Sequence, residues 1–263
     1  MVTSRHLTAD HKPQITWEAL PDDFLLEDDP VENNGQPLLA GALREILELA
    51  GFIQPQMLIV SNFGLCATVD GKIVVKAPDW LYVPAIISVE VDGMTKLRRS
   101  YTPNLEGEIP QVVMEFLSDT DGEEYSQKST FPPGKWFFFE QVLQVPIYVI
   151  FEPKAGRLEV YSLEEGVYQA AIPDAEDRYW IESMNLFLGT WWGYKEGHAW
   201  YWLRWWDESG NLLPWAVESI AEAQQLAEQQ RQRAERLAEI LRLQGIDPDN
   251  FLKNPPENLL ENL

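Results

Sequence analysis

One cysteine, Cys66, stands in 263 residues, so no disulfide can form within the chain and a cysteine-built zinc site is excluded. Histidine is almost as scarce: His6, His11 and His198 are too few for a histidine-rich metal site. Positive charge is short as well. Twenty Lys+Arg stand against 42 Asp+Glu, a formal net charge of −22. A body of that charge repels phosphate, which argues against a broad non-specific nucleic-acid surface but leaves room for a local basic site. No apolar run approaches the ~18 residues that a membrane span needs. Residues 1–14 are polar and hold no hydrophobic signal core. These absences set the expectation of a soluble, cytoplasmic protein in a reducing environment, without a membrane partner. Also missing are a Gly-rich phosphate loop followed by Lys-Ser/Thr, a dinucleotide fingerprint and a nucleophile elbow.

What is present suffices for a core. The chain is 45% hydrophobic and 12% aromatic, which excludes global disorder. Residues 1–36 read as an acidic leader, with Asp22, Asp23, Glu27, Asp28, Asp29 and Glu32 between Pro21 and Pro30. Pro37 then opens a helix in which Leu38, Leu39, Ala42, Leu43, Ile46, Leu47 and Ala50 recur at three- and four-residue spacing, with Gly51 as its C-terminal cap. Strands are expected at 57–60, 65–69 and 72–76, the last two joined by the hairpin signal Asp70-Gly71. Further strands are expected at 86–91, 112–117, 147–151 and 157–161, and an aromatic helix at 134–143. Eight of the eleven tryptophans fall between Trp180 and Trp215. They read as a β extension over 176–215, an aromatic core rather than a base-stacking platform.

From residue 216 to 245 the composition shifts to Ala, Glu, Gln, Arg and Leu, and 246–263 reads as a tail. Ile220, Ala223, Ala227, Gln230, Ala234, Leu237 and Leu241 alternate spacings of three and four, a heptad-like seam. It suits a coiled-coil homodimer or a lone solvated helix.

Carboxylates carry the chemistry that remains. Asp79 follows a proline at a strand end. Glu115 interrupts the apolar run Val112–Leu117 and is costly to bury unless paired, protonated or metal-bound. Simple alternation, with Val113, Glu115 and Leu117 on one partly wet face, is the plainer reading. Two carboxylates from adjacent strands suit Mg²⁺, which takes one or two protein carboxylates and keeps several waters. Such an ion activates water and offsets phosphodiester charge, and a nearby lysine would stabilise the transition state.

Pro78-Asp79, the stretch from Pro110 through Glu115 to Ser118, and the stretch from Gly134 and Lys135 through Val145-Pro146 to Glu152-Pro153 resemble the signature of the Uma-two family. That family is restriction-endonuclease-like and belongs to the PD-(D/E)XK nuclease superfamily. Leu158–Tyr161 and Gly166–Tyr168 are similar to its closing strands, so the resemblance covers about residues 20–175, with the core taken as 37–175. It implies an α/β fold, a mixed sheet flanked by helices in the restriction-endonuclease-like arrangement, followed here by the Trp-rich extension and a long C-terminal helix. It also implies a Mg²⁺-dependent (or Mn²⁺-dependent) DNA endonuclease. Asp79 and Glu115 then serve as metal-binding catalytic carboxylates, and Glu32 resembles the family's N-terminal acidic residue near the metal. The third position of the Glu-x-Lys element is Leu117, a departure. The lysine is then supplied from elsewhere, with Lys135 the matching position and Lys128 and Lys76 the alternatives.

Residues 93–107 look like an insertion between the two motif strands, and Lys96, Arg98 and Arg99 form its basic cluster. They are candidates for DNA phosphate contacts, or for charge balance against Glu90, Asp92, Glu106 and Glu108. The rival to the nuclease is a catalytically inactive nuclease-fold protein serving as a protein-interaction module, a reading favoured by Leu117 and the −22 charge.

Overall fold

A computed structural model describes residues 13–19, 21, 35–88, 90–91, 94–95, 97–118 and 123–248. The chain divides into two compact units, Met1–Leu213 and Pro214–Leu263.

The first unit is α/β. Its strands are β1 (Ile15–Thr16), β2 (Leu58–Val60), β3 (Gly64–Val69), β4 (Lys72–Lys76), β5 (Trp80–Val83), β6 (Glu90–Val91), β7 (Met94–Thr95), β8 (Ser100–Tyr101), β9 (Val112–Phe116), β10 (Ile147–Glu152), β11 (Arg157–Glu164), β12 (Val167–Ala170), β13 (Tyr179–Ile181), β14 (Leu186–Lys195) and β15 (His198–Trp206). A mixed six-stranded sheet runs β12-β11-β10-β9-β5-β2. Within it β9 and β10 are parallel and every other pairing is antiparallel. Beside it stand a second sheet, β1-β3-β4 with β8 on β3, a three-stranded sheet, β13-β14-β15, and the two-stranded ribbon β6-β7.

Helix α1 (Gly35–Leu49) buries Leu39, Ala42, Leu43, Ile46 and Leu47, the stripe read from the sequence. Gly51, at φ +69°, ends it. The Gly51 N–H donates to Glu48 and the Phe52 N–H to Leu47, so the last carbonyls are satisfied in a Schellman motif that needs a left-handed residue. Arg44 donates to the Ile59 carbonyl at 2.8 Å and Gln36 to the Phe116 carbonyl at 3.1 Å. These bonds tie α1 to the six-stranded sheet, with its first turn at the C-terminal end of β9.

Beside the sheet, α2 (Lys135–Phe137) runs directly into a π-helical stretch, Phe138–Leu143. Phe138, Phe139, Val142 and Leu143 form one buried cluster with Val113, Tyr148, Ile150, Leu81, Val83 and residues of β3 and β4. Full burial of such side chains stabilises by roughly 1.5–3 kcal/mol each. On the alternate positions, Trp80 of β5 meets Trp205 of β15 at a ring separation of 6.1 Å. Trp202 and Trp205 are fully buried, as an aromatic core requires, whereas Trp192 and Tyr194 near the hairpin tip are exposed.

One expectation needs correction. No continuous strand runs over 86–91. Ile86 makes only an isolated bridge to Gly107, and Glu90–Val91 pairs with Met94–Thr95 in a separate ribbon. The Ile86 N–H donates to the Gln56 carbonyl and the Ile87 N–H to the Glu106 carbonyl, and the pairing stops at that bridge. The strand lies earlier, at β5, whose four residues are all buried and therefore show no polar alternation.

The second unit contains α3 (Ala216–Leu243), a helix of 28 residues with no buried residue. Glu218 accepts a hydrogen bond from the Trp215 N–H at 2.8 Å and so closes its first turn. Among the described residues no helix is long and apolar enough to cross a membrane.

Candidate active site

Trp80 pairs with Met114 in the antiparallel ladder of β5 and β9. One step further along the same register, Asp79 faces Glu115. Directly opposed residues of an antiparallel pair point to the same side of a sheet, so the two carboxylates share a face. The Phe116 N–H donates to Asp79 Oδ2 at 2.6 Å, which fixes the Asp79 carboxylate at the end of β5. On the other flank of β9, Ile150 of β10 lies beside Glu115 and belongs to the apolar cluster.

Glu115 is therefore buried on a strand that is buried throughout. The plainer expectation of a partly wet face does not hold at this position. Its Oε2 meets Lys135 Nζ at 3.2 Å. Its Oε1 is buried and has no hydrogen-bond partner among the described residues. Burial pushes the Glu115 carboxyl up to about 8; the Lys135 ammonium opposes that shift, while Asp79 and Glu124 add to it. Lys135 is held above its ordinary value. Burial pulls it down, but Glu115, Glu124 and Asp79 together outweigh that effect.

Glu124 was not anticipated. It is buried, and its Oε1 lies 3.5 Å from Lys135 Nζ, so one ammonium bridges two carboxylates. Tyr148 donates to the Glu124 carbonyl at 2.9 Å and fixes the backbone there. Gly134 allows the approach: a Cβ at that position would collide with the backbone and side chain of Ser126. Only glycine lets the 123–134 segment lie against the start of α2 and bring Glu124 beside Lys135. In the sequence Glu124 ends the acid-rich run Asp119, Asp121, Glu123, Glu124, which looks like solvated charge. The close approach at Gly134 was the available signal, and it is not visible without coordinates.

The other candidates fall elsewhere. Lys76 pairs with exposed Glu123 at 3.4 Å, and Lys128 is exposed. Leu117 packs partly buried against the apolar cluster. Arg98 is held by Glu106 and by the Ile87 carbonyl and lies over the Tyr101 ring, while Arg99 is exposed. Glu32 and Lys96 lie outside the described residues.

Among the described residues no three His, Cys, Asp or Glu side chains converge to enclose a metal ion. Two opposed carboxylates, one with a buried oxygen lacking a hydrogen bond, nevertheless suit a hard cation. Mg²⁺ is held by one or two carboxylates with water filling its other positions.

A family model, Uma2, described as "Putative restriction endonuclease", matches residues 42–192. The chain belongs to this family. The Uma2 match takes in β2 to β13, hence every residue of the Asp79–Glu115–Lys135–Glu124 group, and reaches into β14. No curated protein matches the chain. Membership carries the nuclease-like character expected from the sequence.

Proposed function

We propose that this Uma2 protein is a metal-dependent endonuclease that hydrolyses phosphodiester bonds in DNA in the cytoplasm. Asp79 and Glu115 would hold the divalent ion, Mg²⁺ or Mn²⁺, and Lys135 is the catalytic cation. The observation that carries this reading is the register-opposed pair Asp79 and Glu115, with Lys135 seated on Glu115. When bound, the ion supplies an activated water and neutralises charge on the phosphate. Asp79 is oriented for that task by the Phe116 N–H. Glu115 offers the buried oxygen that nothing among the described residues satisfies. Lys135 is partly exposed and can direct its charge toward a phosphate once Glu115 turns to the metal. Glu124 then keeps the ammonium in place. Arg99, exposed on the insertion, is the candidate phosphate contact, whereas Arg98 holds its loop together.

A plasmid-nicking assay at low salt with Mg²⁺ or Mn²⁺ tests the proposal, alongside a thermal-shift titration with each metal, since phosphate contacts weaken as salt rises. Nicking and metal stabilisation that both vanish in Glu115→Gln support it. A wild type that shows neither on several DNA substrates would make the interaction-module reading the better one.

A further inference from the structure

Helix α3 has 28 residues, none of them buried, and every residue from Ile220 to Leu237 is exposed. Val217, Ile220, Leu226, Leu237, Ile240 and Leu243 are each at least half exposed. Intrahelical pairs such as Arg231 with Glu228 contribute little when solvated. They do not account for so much uncovered apolar surface on one helix.

Its charge is distributed in halves. Residues 216–229 hold Glu218, Glu222 and Glu228 and no basic residue; residues 230–243 hold Arg231, Arg233, Arg236 and Arg242 against Glu235 and Glu239. A parallel partner would set like halves side by side, which is unfavourable. An antiparallel copy sets the acidic half against the basic half.

The apolar seam closes in the same orientation. Matching Ile220 to Leu237 of a second, antiparallel copy also matches Ala223 to Ala234, Ala227 to Gln230 and Ala216 to Leu241. Ile220 meets Leu237 in one large apolar layer at each end, the alanines at 223, 227 and 234 let the helices approach between them, and Gln230 is the one polar residue in the seam. Each contact occurs twice, as a two-fold interface requires.

We propose that α3 is a homodimerisation helix that pairs antiparallel with α3 of a second copy of this chain, through the Ile220–Leu241 seam. This does not depend on the nuclease reading.

The test uses the full chain. Sedimentation should give twice the 30.2 kDa chain mass at low salt, with dissociation as salt rises or when Ile220→Glu and Leu237→Glu are combined. The orientation is read with single cysteines, because Cys66 is buried and stays silent. Ala223→Cys mixed with Ala234→Cys should cross-link under mild oxidation, while either variant alone should cross-link at least ~10-fold more slowly, a 1.4 kcal/mol difference in barrier. Rapid cross-linking of Ala223→Cys with itself means parallel pairing and overturns the proposal. A monomer at every concentration, with no cross-link in the mixture, overturns it too and leaves the seam to another protein or to solvent.

Discussion

Lys195 and Lys135 are both sunk into the first unit with acidic partners, but the burial is reversed. At Lys195 the cation is buried, with its side chain 5% exposed, while Glu45 at 2.6 Å and Glu196 at 3.4 Å reach water at 28% and 52%. At Lys135 the cation is the exposed member, at 21%, and the carboxylates of Glu115 and Glu124 are sealed in at 1% and 4%. Water screens the excess negative charge beside Lys195, so that cluster holds α1 to β14 and needs nothing more. At Lys135 the carboxylates lie inside the protein, with Asp79 adding to their repulsion, so a second negative charge there is opposed and Glu115 holds its proton up to about 8. A fold gains no stability from an uncompensated buried carboxylate. Under the proposed function a further cation would compensate the second cluster, and this contrast separates a structural ion pair from a candidate active site.

The sharpest way to break the contrast is Glu115→Gln, which keeps the shape and removes the charge. Nicking should fall by a factor on the order of 1,000 and metal-induced stabilisation should disappear. Glu115 also sets a pH dependence. Its folded-state value, about 8, lies above the ordinary 4.5, so the stability linked to its proton is fully present below about 4.5. That stability is lost as pH rises toward 8. Metal-free wild type should therefore melt lower at pH 8 than at pH 5 by more than Glu115→Gln does. Equal slopes would mean that Glu115 is not titrating in a buried site.

Lys135→Met comes next, with activity expected to fall by about 100-fold, the effect of losing one charged donor to a transition state. Unlike Glu115→Gln, it should leave metal stabilisation intact or larger, because the carboxylates lose their resident cation. Loss of metal stabilisation here would place Lys135 in the structural class with Lys195.

Much of this site was legible because β9 is otherwise apolar. A single charge within Val-Val-Met-Glu-Phe stands out against its neighbours, and strand alternation already gave the face that Glu115 shares with Val113. Asp79 was legible only through the Pro78-Asp79 pairing, since β5, the strand it leads into, has no alternation to read. Spacing could not rank Lys135 above Lys76 and Lys128. What brings Lys135 to Glu115 is the helix start at Gly134, a tertiary contact. Glu124 was hidden for the same reason, inside an acidic run with no periodicity. The long helix was read in place from its alanine- and glutamine-rich periodicity, because local propensity alone suffices for an exposed helix.

The structural lysine gives the complementary test. Lys195→Met should lower stability by about 2 kcal/mol, the cost of stripping a hydrogen-bonded charge from partners that water can partly rescue. Metal-induced stabilisation and nicking at a temperature well below Tm should not change. A loss of nicking there would show the two clusters to be coupled, and the distinction between them would fail.

The smallest effect is expected at Glu124. If it only anchors Lys135, Glu124→Gln keeps a polar group within reach of the ammonium and should reduce kcat by about 10-fold with KM unchanged, the low end for a residue that orients another. Metal stabilisation should persist, since Asp79 and Glu115 are untouched. Glu124→Asp should recover part of the rate, because the charge is restored although the reach is shorter. A structural role would appear instead as a lower Tm with normal kcat. Loss of metal stabilisation would identify Glu124 as a third metal-binding carboxylate, and Lys135 would then lose its second anchor whenever the ion is bound.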